Sequence, residues 1–384
     1  MTHSPALVGT LARMTAAPQA PDRDAIIGAL TQVIDPELRR SVIELEMVRD
    51  VEIAPNGLVI VTIALTVAGC PLRASFEQQV QDALMPIPGV TATALRFDVM
   101  TPEEKTALST KLRGGINERS EGVRIDKDTR VIAVASGKGG VGKSSLTVNL
   151  AAAFSRLGLR TGVVDADVYG YSIPHMLGVN QRPVVVDELI VPPVKGDLKL
   201  MSIGFFLEEN GPVMWRGPML HRALEQFLSD VHWGQLDVLV VDMPPGTGDV
   251  SISLGQLLPR AECVVVTTPQ PAAQEVAVRA AMMAQKTNMR LLGVIENMSW
   301  LVGTRQEIFG SGGGQALADQ IGIPLLGQVP LDPTLRACGD EGEPVVWAHP
   351  ESEAAQAITA VAEAIHATAR ERGVGIVKPL NLLS

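Results

Sequence analysis

The chain has 384 residues, 46% of them hydrophobic but only 3% aromatic, which leaves room for two or three domains with cores of Ala, Val, Leu and Ile. Lys and Arg number 32 against 42 Asp and Glu, a formal net charge of -10 that gives no general attraction to nucleic acid or anionic lipid. No apolar run approaches the roughly 18 residues needed to span a bilayer. Three widely separated cysteines, Cys70, Cys263 and Cys338, and an N-terminus without the apolar core of a secretory signal lead to the expectation of a cytoplasmic protein with reduced thiols.

Residues 22–100 read as a small α+β unit. An amphipathic helix over DRDAIIGALTQV is followed by two strands, VRDVEIA and LVIVTIALTV, separated by the turn signal Pro55-Asn56-Gly57. A helix over FEQQVQDAL and a strand over VTATALRFDVM complete it. From Thr101 to Arg130 charged and polar residues with the pair Gly114-Gly115 predict a linker over 101–130. Beyond it the pattern becomes strand, turn, helix, repeated: VIAVAS, LRTGVVDAD, LDVLVVDMPP, ECVVVTTPQ, RLLGVIEN and PLLGQV alternate with helical stretches such as SSLTVNLAAAFSRL and PAAQEVAVRAAMMAQ. That alternation predicts an α/β fold over 131–371, a doubly wound, mostly parallel sheet closed by an Ala-rich helix over 351–371, with a loose tail at 372–384.

The stretch SGKGGVGKSS, residues 136–145, carries the phosphate-loop pattern in its required context, between a strand and a helix. Gly137, Gly139, Gly140 and Gly142 let the backbone, with Val141 among it, close around a polyphosphate, and the helix beginning near Lys143, Ser144 and Ser145 adds its partial positive charge. Lys143 is expected to reach the β- and γ-phosphates of ATP, and the Ser144 hydroxyl to ligate Mg²⁺. Asp165 and Asp167 end the next strand, where ligands of open α/β sheets bind. Asp165 suits a place near the metal and Asp167 one orienting the attacking water, the alternative being that either caps the next segment. The apolar strand LVVDMPPGTGD delivers Asp242 to the metal and Gly246, whose N–H is expected to face the γ-phosphate. Asn297 is read either as a turn former or as an adenine reader. Trp300 stands where a guanine reader needs a carboxylate, so ATP is favoured over GTP.

With GKGGVGKSS, DADVYGYS, DMPPGTGD and ENMS in this order, the chain from residue 130 to about 370 resembles the deviant phosphate-loop ATPases, the group of MinD, ParA and the nitrogenase iron protein. Within it the phrases DMPPGTGD, IFGSGGG, VPLDP and EGEPVV are most similar to the Mrp/ApbC iron-sulfur cluster carriers. Asp35 to Glu37 (DPE) and LTVAGCPL at 65–72 resemble the small iron-sulfur-assembly domain that bacterial members carry. The resemblance implies a homodimeric, Mg²⁺-dependent ATPase that assists iron-sulfur cluster assembly or transfer to client or scaffold proteins. It also implies a role for the second lysine: Lys138 crosses the dimer interface to the partner's phosphates, a lysine equivalent of an arginine finger.

The carriers hold a [4Fe-4S] cluster between two subunits through a Cys-x-x-Cys pair, but the corresponding NMSWLVGTRQEIFGSGGG contains no cysteine. Cys263 opens an apolar strand and reads as a small buried hydrophobe, and Cys338 falls in an expected loop. Cys70, just before an expected helix, is the remaining candidate for a reactive thiolate or cluster ligand, one per subunit, with a structural role as the other reading. Two further functions stay open: a MinD/ParA-like positioning ATPase acting on membrane or DNA, and a nucleotide-dependent switch that binds a client without a cluster. The acidic balance and the lack of a basic amphipathic tail speak against the first, and the presence of Asp167 and Lys138 against the second.

Overall fold

A computed structural model describes residues 21–67, 72–113, 125–126, 128–168, 170–206 and 217–368, with the side chains of 217–220 left aside. The chain divides into two compact units, 1–115 and 116–384.

In the first unit, α1 (Arg23–Leu30) starts where the Asp22 carboxylate accepts from the Asp24 N–H, and it buries Ile26 and Leu30. Strands β1 (Val48–Ile53) and β2 (Leu58–Leu65) form an antiparallel hairpin. Its turn needs glycine at position 57, where φ is +83°. Helix α2 (Arg73–Leu84) then carries the chain over to β3 (Ala92–Val99), which pairs with β2 in parallel. The DPE turn is closed by Asp35, whose Oδ1 accepts from the N–H groups of Glu37 and Leu38, both at 2.9 Å. The stretch read as a linker from residue 101 begins instead with a helix, α3 (Pro102–Leu112). Thr101 and Glu104 form a reciprocal capping box, Pro102 occupies the first turn, and Leu108 and Leu112 are buried, so local capping and two buried leucines outweigh a charged composition.

Among the described residues, the second unit is built on an eight-stranded sheet. In chain order its elements are β4 (Arg130–Ser136), α4 (Lys143–Arg156), β5 (Thr161–Asp165), α5 (Ile173–Met176), β6 (Val184–Val186), β7 (Leu189–Val191), β8 (Val194–Lys195), β9 (Leu198–Ser202), α6 (Gly217–Ser229), β10 (Val238–Asp242) and α7 (Asp249–Leu257). They continue with β11 (Glu262–Thr267), α8 (Pro271–Lys286), β12 (Arg290–Leu301), α9 (Gly313–Ile321), β13 (Leu325–Leu331), α10 (Pro333–Glu341), α11 (Val345–Ala348) and α12 (Glu353–Ala367). The sheet order is β13-β12-β11-β4-β10-β5-β9-β8, parallel throughout except for the antiparallel edge pair β8–β9. A separate small hairpin joins β6 and β7.

Strand alternation splits the core into two layers. Ala133, Val164, Val241 and Val265 face α6 to α9, while Ile132, Val134, Val163, Val240 and Val264 face α4 and α10 to α12. Every residue of β4 and β10 is buried, which explains why both read as unbroken apolar runs. The central β4 is held at its start by a buried ion pair between Arg130 and Glu262, and Arg130 also donates to the carbonyl of Ile365, tying the last helix to the sheet. Cys338, expected in a loop, lies inside α10 and is 3% exposed: Pro333 follows the Asp332 cap, and the helix runs to Gly342 at φ +78°. The predicted tail at 372–384 lies outside the described residues.

Candidate nucleotide-binding site

The site forms where β4, β5 and β10 end side by side at one edge of the sheet. In register, Asp242 sits opposite Asp165 across the β10–β5 pair and opposite Val134 across the β10–β4 pair. The loop 137–142 then leaves β4 and turns into α4, whose first residue is Lys143. Two glycines in this loop are required by space. A Cβ on Gly137 would lie 2.2 Å from the carbonyl carbon of Val276 in α8, and one on Gly142, at φ +82°, would lie 2.2 Å from Nδ2 of Asn297. Gly139 and Gly140 are exposed at the outer rim, Val141 is buried beneath it, and the Ser145 carbonyl accepts from Asn149 within α4.

Three side chains converge on Asp242. The Lys143 ammonium lies 2.7 Å from Oδ2, the Ser144 hydroxyl donates to the same oxygen at 2.6 Å, and the Thr147 hydroxyl donates to Oδ1 at 2.7 Å. Lys143 is only 6% exposed, and its second carboxylate, Oδ2 of Asp167, is 3.7 Å away. Sequence reasoning missed Thr147, although it stands four residues after Lys143 and therefore on the same face of α4.

Asp165 is fully buried. Its Oδ2 accepts from Ser202 Oγ at 3.0 Å and from the N–H groups of Ser172 and Ile173 at 3.2 Å, and its Oδ1 accepts from the Asp167 N–H at 3.3 Å. Burial, and next the negative charge of Asp242, push its carboxyl up from 3.8 to about 7 despite those bonds. Burial also raises Asp242, against the opposing pull of Lys143. The two buried carboxyls and the Ser144 hydroxyl make an all-oxygen donor set, and with Lys143 as the cation beside Asp242 the set is short of positive charge, which is the chemistry Mg²⁺ fits. Ser202 had no sequence signal, because its strand β9 was not read as one.

Asp167 is also buried and accepts from the Gly170 N–H at 3.1 Å. Lys138 stands apart from the carboxylates: it is half-buried and donates to Oε1 of Gln270, the residue before α8, at 3.3 Å.

Two residues expected to meet the nucleotide are bonded within the chain. The Gly246 N–H, expected to face the γ-phosphate, donates to the Ser136 carbonyl at 2.8 Å, where the turn at φ +84° folds back on β4. The Asn297 amide, read as either a turn former or an adenine reader, donates to the Val141 carbonyl at 2.9 Å and braces the phosphate loop from below, while its Oδ1 is buried without a hydrogen-bond partner. Cys70 lies outside the described residues. Cys263 is buried in β11, with its thiol pushed up to about 12 by burial.

With this geometry in place, known proteins can be compared. Residues 127–366 match the family described as NUBPL iron-transfer P-loop NTPase, and residues 23–95 match the family described as iron-sulfur cluster assembly protein. The iron-sulfur cluster carrier protein of Mycobacterium leprae is 49% identical over 358 residues, 91% of this chain and 94% of its own. The protein of the same name from Synechocystis sp. is 41% identical over 352 residues, 89% and 96% of the two chains. Among solved structures, a nucleotide-binding protein from Archaeoglobus fulgidus in complex with ADP is 35% identical with a TM-score of 0.52, covering 58% of this chain and 89% of its own.

Proposed function

Because the chain belongs to the family of NUBPL-type iron-transfer P-loop NTPases, we propose that it binds and hydrolyses ATP as a homodimer and couples that cycle to the assembly or transfer of iron-sulfur clusters to client proteins. The observation that carries the reading is the convergence of Lys143, Ser144 and Thr147 on the buried Asp242 at the mouth of a glycine loop. The nearly buried Lys143 ammonium is already paired with Asp242 and near Asp167, and it stands at the start of α4, where phosphate oxygens entering the loop would share its charge. In this reading Gly137, Gly139, Gly140, Val141, Gly142 and Ser145 supply the backbone cradle, and Lys143 exchanges part of its contact with Asp242 for phosphate oxygens. Ser144, Asp242 and Asp165 would hold Mg²⁺, which would offset the charge of the phosphates. Asp167 orients the attacking water, and Lys138 of the partner subunit stabilises the charge that develops on the transferred group. Asn297 holds the loop in shape, and Gly246 follows the nucleotide state through its bond to Ser136.

The cluster is cargo. The segment between Asn297 and Gly314 supplies no thiol, so contact with the cargo falls to Cys70, one per subunit, with client or small-molecule thiols completing the ligand set.

The test is Lys138→Ala, followed by phosphate release, fluorescent-ATP binding and ATP-dependent dimerisation. Binding is expected to persist, while turnover falls by about a hundredfold or more and dimerisation is lost, as expected for a charge supplied across an interface. Unchanged turnover in the variant would refute the trans role, and a wild type that binds ATP without releasing phosphate would refute hydrolysis.

A further inference from the structure

On the sheet face opposite α4, a groove of about 740 Å³ runs between α7 and α8. Ile252, Pro259, Met282 and Met283 line it with apolar surface, and Arg279 and Lys286 stand beside them. No aspartate or glutamate is among the described residues lining it, although the chain as a whole carries a formal charge of -10. Both cations are exposed, and neither makes an ion pair with a described residue. They are seven positions apart on α8, two helical turns or about 10 Å, on the same side of the helix. Ile252, on the facing wall, is 39% exposed. An apolar floor containing two methionines, which adapt to different partners, and flanked by unpaired positive charge two turns apart is complementary to one kind of ligand: a helix with an apolar stripe edged by acids.

Both walls are anchored to the phosphate loop. Helix α7 begins three residues after Gly246, whose N–H is bonded to Ser136 at the end of β4. Helix α8 passes so close to Gly137 that a single methyl group there would collide with the Val276 backbone. Thr247, between Gly246 and α7, itself lines the groove.

We propose that the groove between α7 and α8 docks an acidic amphipathic helix of a partner protein, and that the nucleotide state alters this docking through Gly246 and Gly137. The docking stands on the groove alone, whereas its nucleotide dependence rests on the ATPase reading above. The probe is a fluorescein-labelled helical peptide with leucines at positions i, i+3, i+4 and i+7, glutamates on both flanks, and one photo-crosslinking leucine. A second peptide replaces every glutamate by lysine. Anisotropy is read with the full chain, first without nucleotide. The acidic peptide is expected to bind saturably, to crosslink within 247–259 and 279–288, and to weaken tenfold or more in Arg279→Glu/Lys286→Glu, with a smaller loss in Arg279→Gln/Lys286→Gln. Thermal unfolding of both variants checks that they fold. Crosslinks elsewhere, equal binding of the lysine peptide or undiminished binding by both folded variants would overturn the docking. So would a single-stranded oligonucleotide that binds in a manner dependent on Arg279 and Lys286 where the peptide does not. ATP is then expected to change peptide affinity at least threefold. Docking without any response to ATP would overturn the coupling alone, and a chain that docks the peptide but releases no phosphate would separate failure of the ATPase reading from failure of the groove.

Discussion

Protonation of Asp165 should make the nucleotide-free protein lose stability as pH rises. Burial, reinforced by Asp242, moves this carboxyl from 3.8 to about 7, so the folded chain holds a proton that the unfolded chain has already released. At 1.36 kcal/mol per pH unit, keeping it ionised above pH 7 costs folding about 4 kcal/mol. The sign follows from the raised value: the contribution is fully present below pH 4 and is lost as pH climbs to about 7. From about pH 5 to 8 the loss is about 3 kcal/mol. Asp165→Asn keeps the shape and removes the charge, so its urea-unfolding free energy should be flatter than the wild type's by about that amount over the same range. Mg²⁺ placed beside the carboxyl as the nucleotide binds should ionise it, releasing about half a proton per site at pH 7, which calorimetry in buffers of different ionisation enthalpy measures directly. Stability curves of variant and wild type that run parallel from pH 5 to 8, or Mg²⁺-ATP binding with no proton release, would refute the reasoning.

Two other consequences can be checked with simple variants. Gly137→Ala places a methyl group 2.2 Å from backbone in α8, which cannot yield as a flexible side chain would, so the variant should be destabilised by several kcal/mol or fail to fold, as read by circular dichroism and urea melts. The thiols should sort by burial: in the native chain at about pH 8, iodoacetamide should spare Cys263 and Cys338, both buried and with pKa values raised mainly by burial, and should reach them only after unfolding. Anaerobic reconstitution with iron and sulfide should then load the wild type but not Cys70→Ala; equal iron in both would remove Cys70 from the cargo site.

Legibility in the sequence followed the range of the interactions. The strand-loop-helix unit around Lys143 was readable because its signal is local: a β-branched run, glycines at fixed offsets and a helix former. The order of strands in the sheet was not, and with it went Ser202, which reaches Asp165 only because β9 pairs with β5 in register Asp165↔Ser202. Helix α3 was hidden by a charged composition whose charges serve as caps: Glu104 bonds back to Thr101, and one face still buries Leu108 and Leu112. Asn297 and Gly246 show a different limit. Their residue types and places were read, but each donates its N–H to a backbone carbonyl of the segment 136–141, a partner distant in sequence.

Those two bonds also connect the site to the rest of the second unit. Val141 is held from β12 by Asn297, Ser136 from the turn before α7 by Gly246, and Gly137 is pressed on α8. A strand, a turn and a helix therefore meet the six residues 136–141, two through single hydrogen bonds to backbone and the third through a close approach that leaves no room for a methyl group. A phosphate that reshapes the loop must break or move at least one of them, and α7 and α8 are the elements that would move. Lys138 lies on the same route, since Gln270, to which it is bonded, immediately precedes α8. Drawing Lys138 away toward a partner subunit's nucleotide would release the start of α8. Dimerisation, hydrolysis and the shape of the α7–α8 groove would then be linked through one helix end.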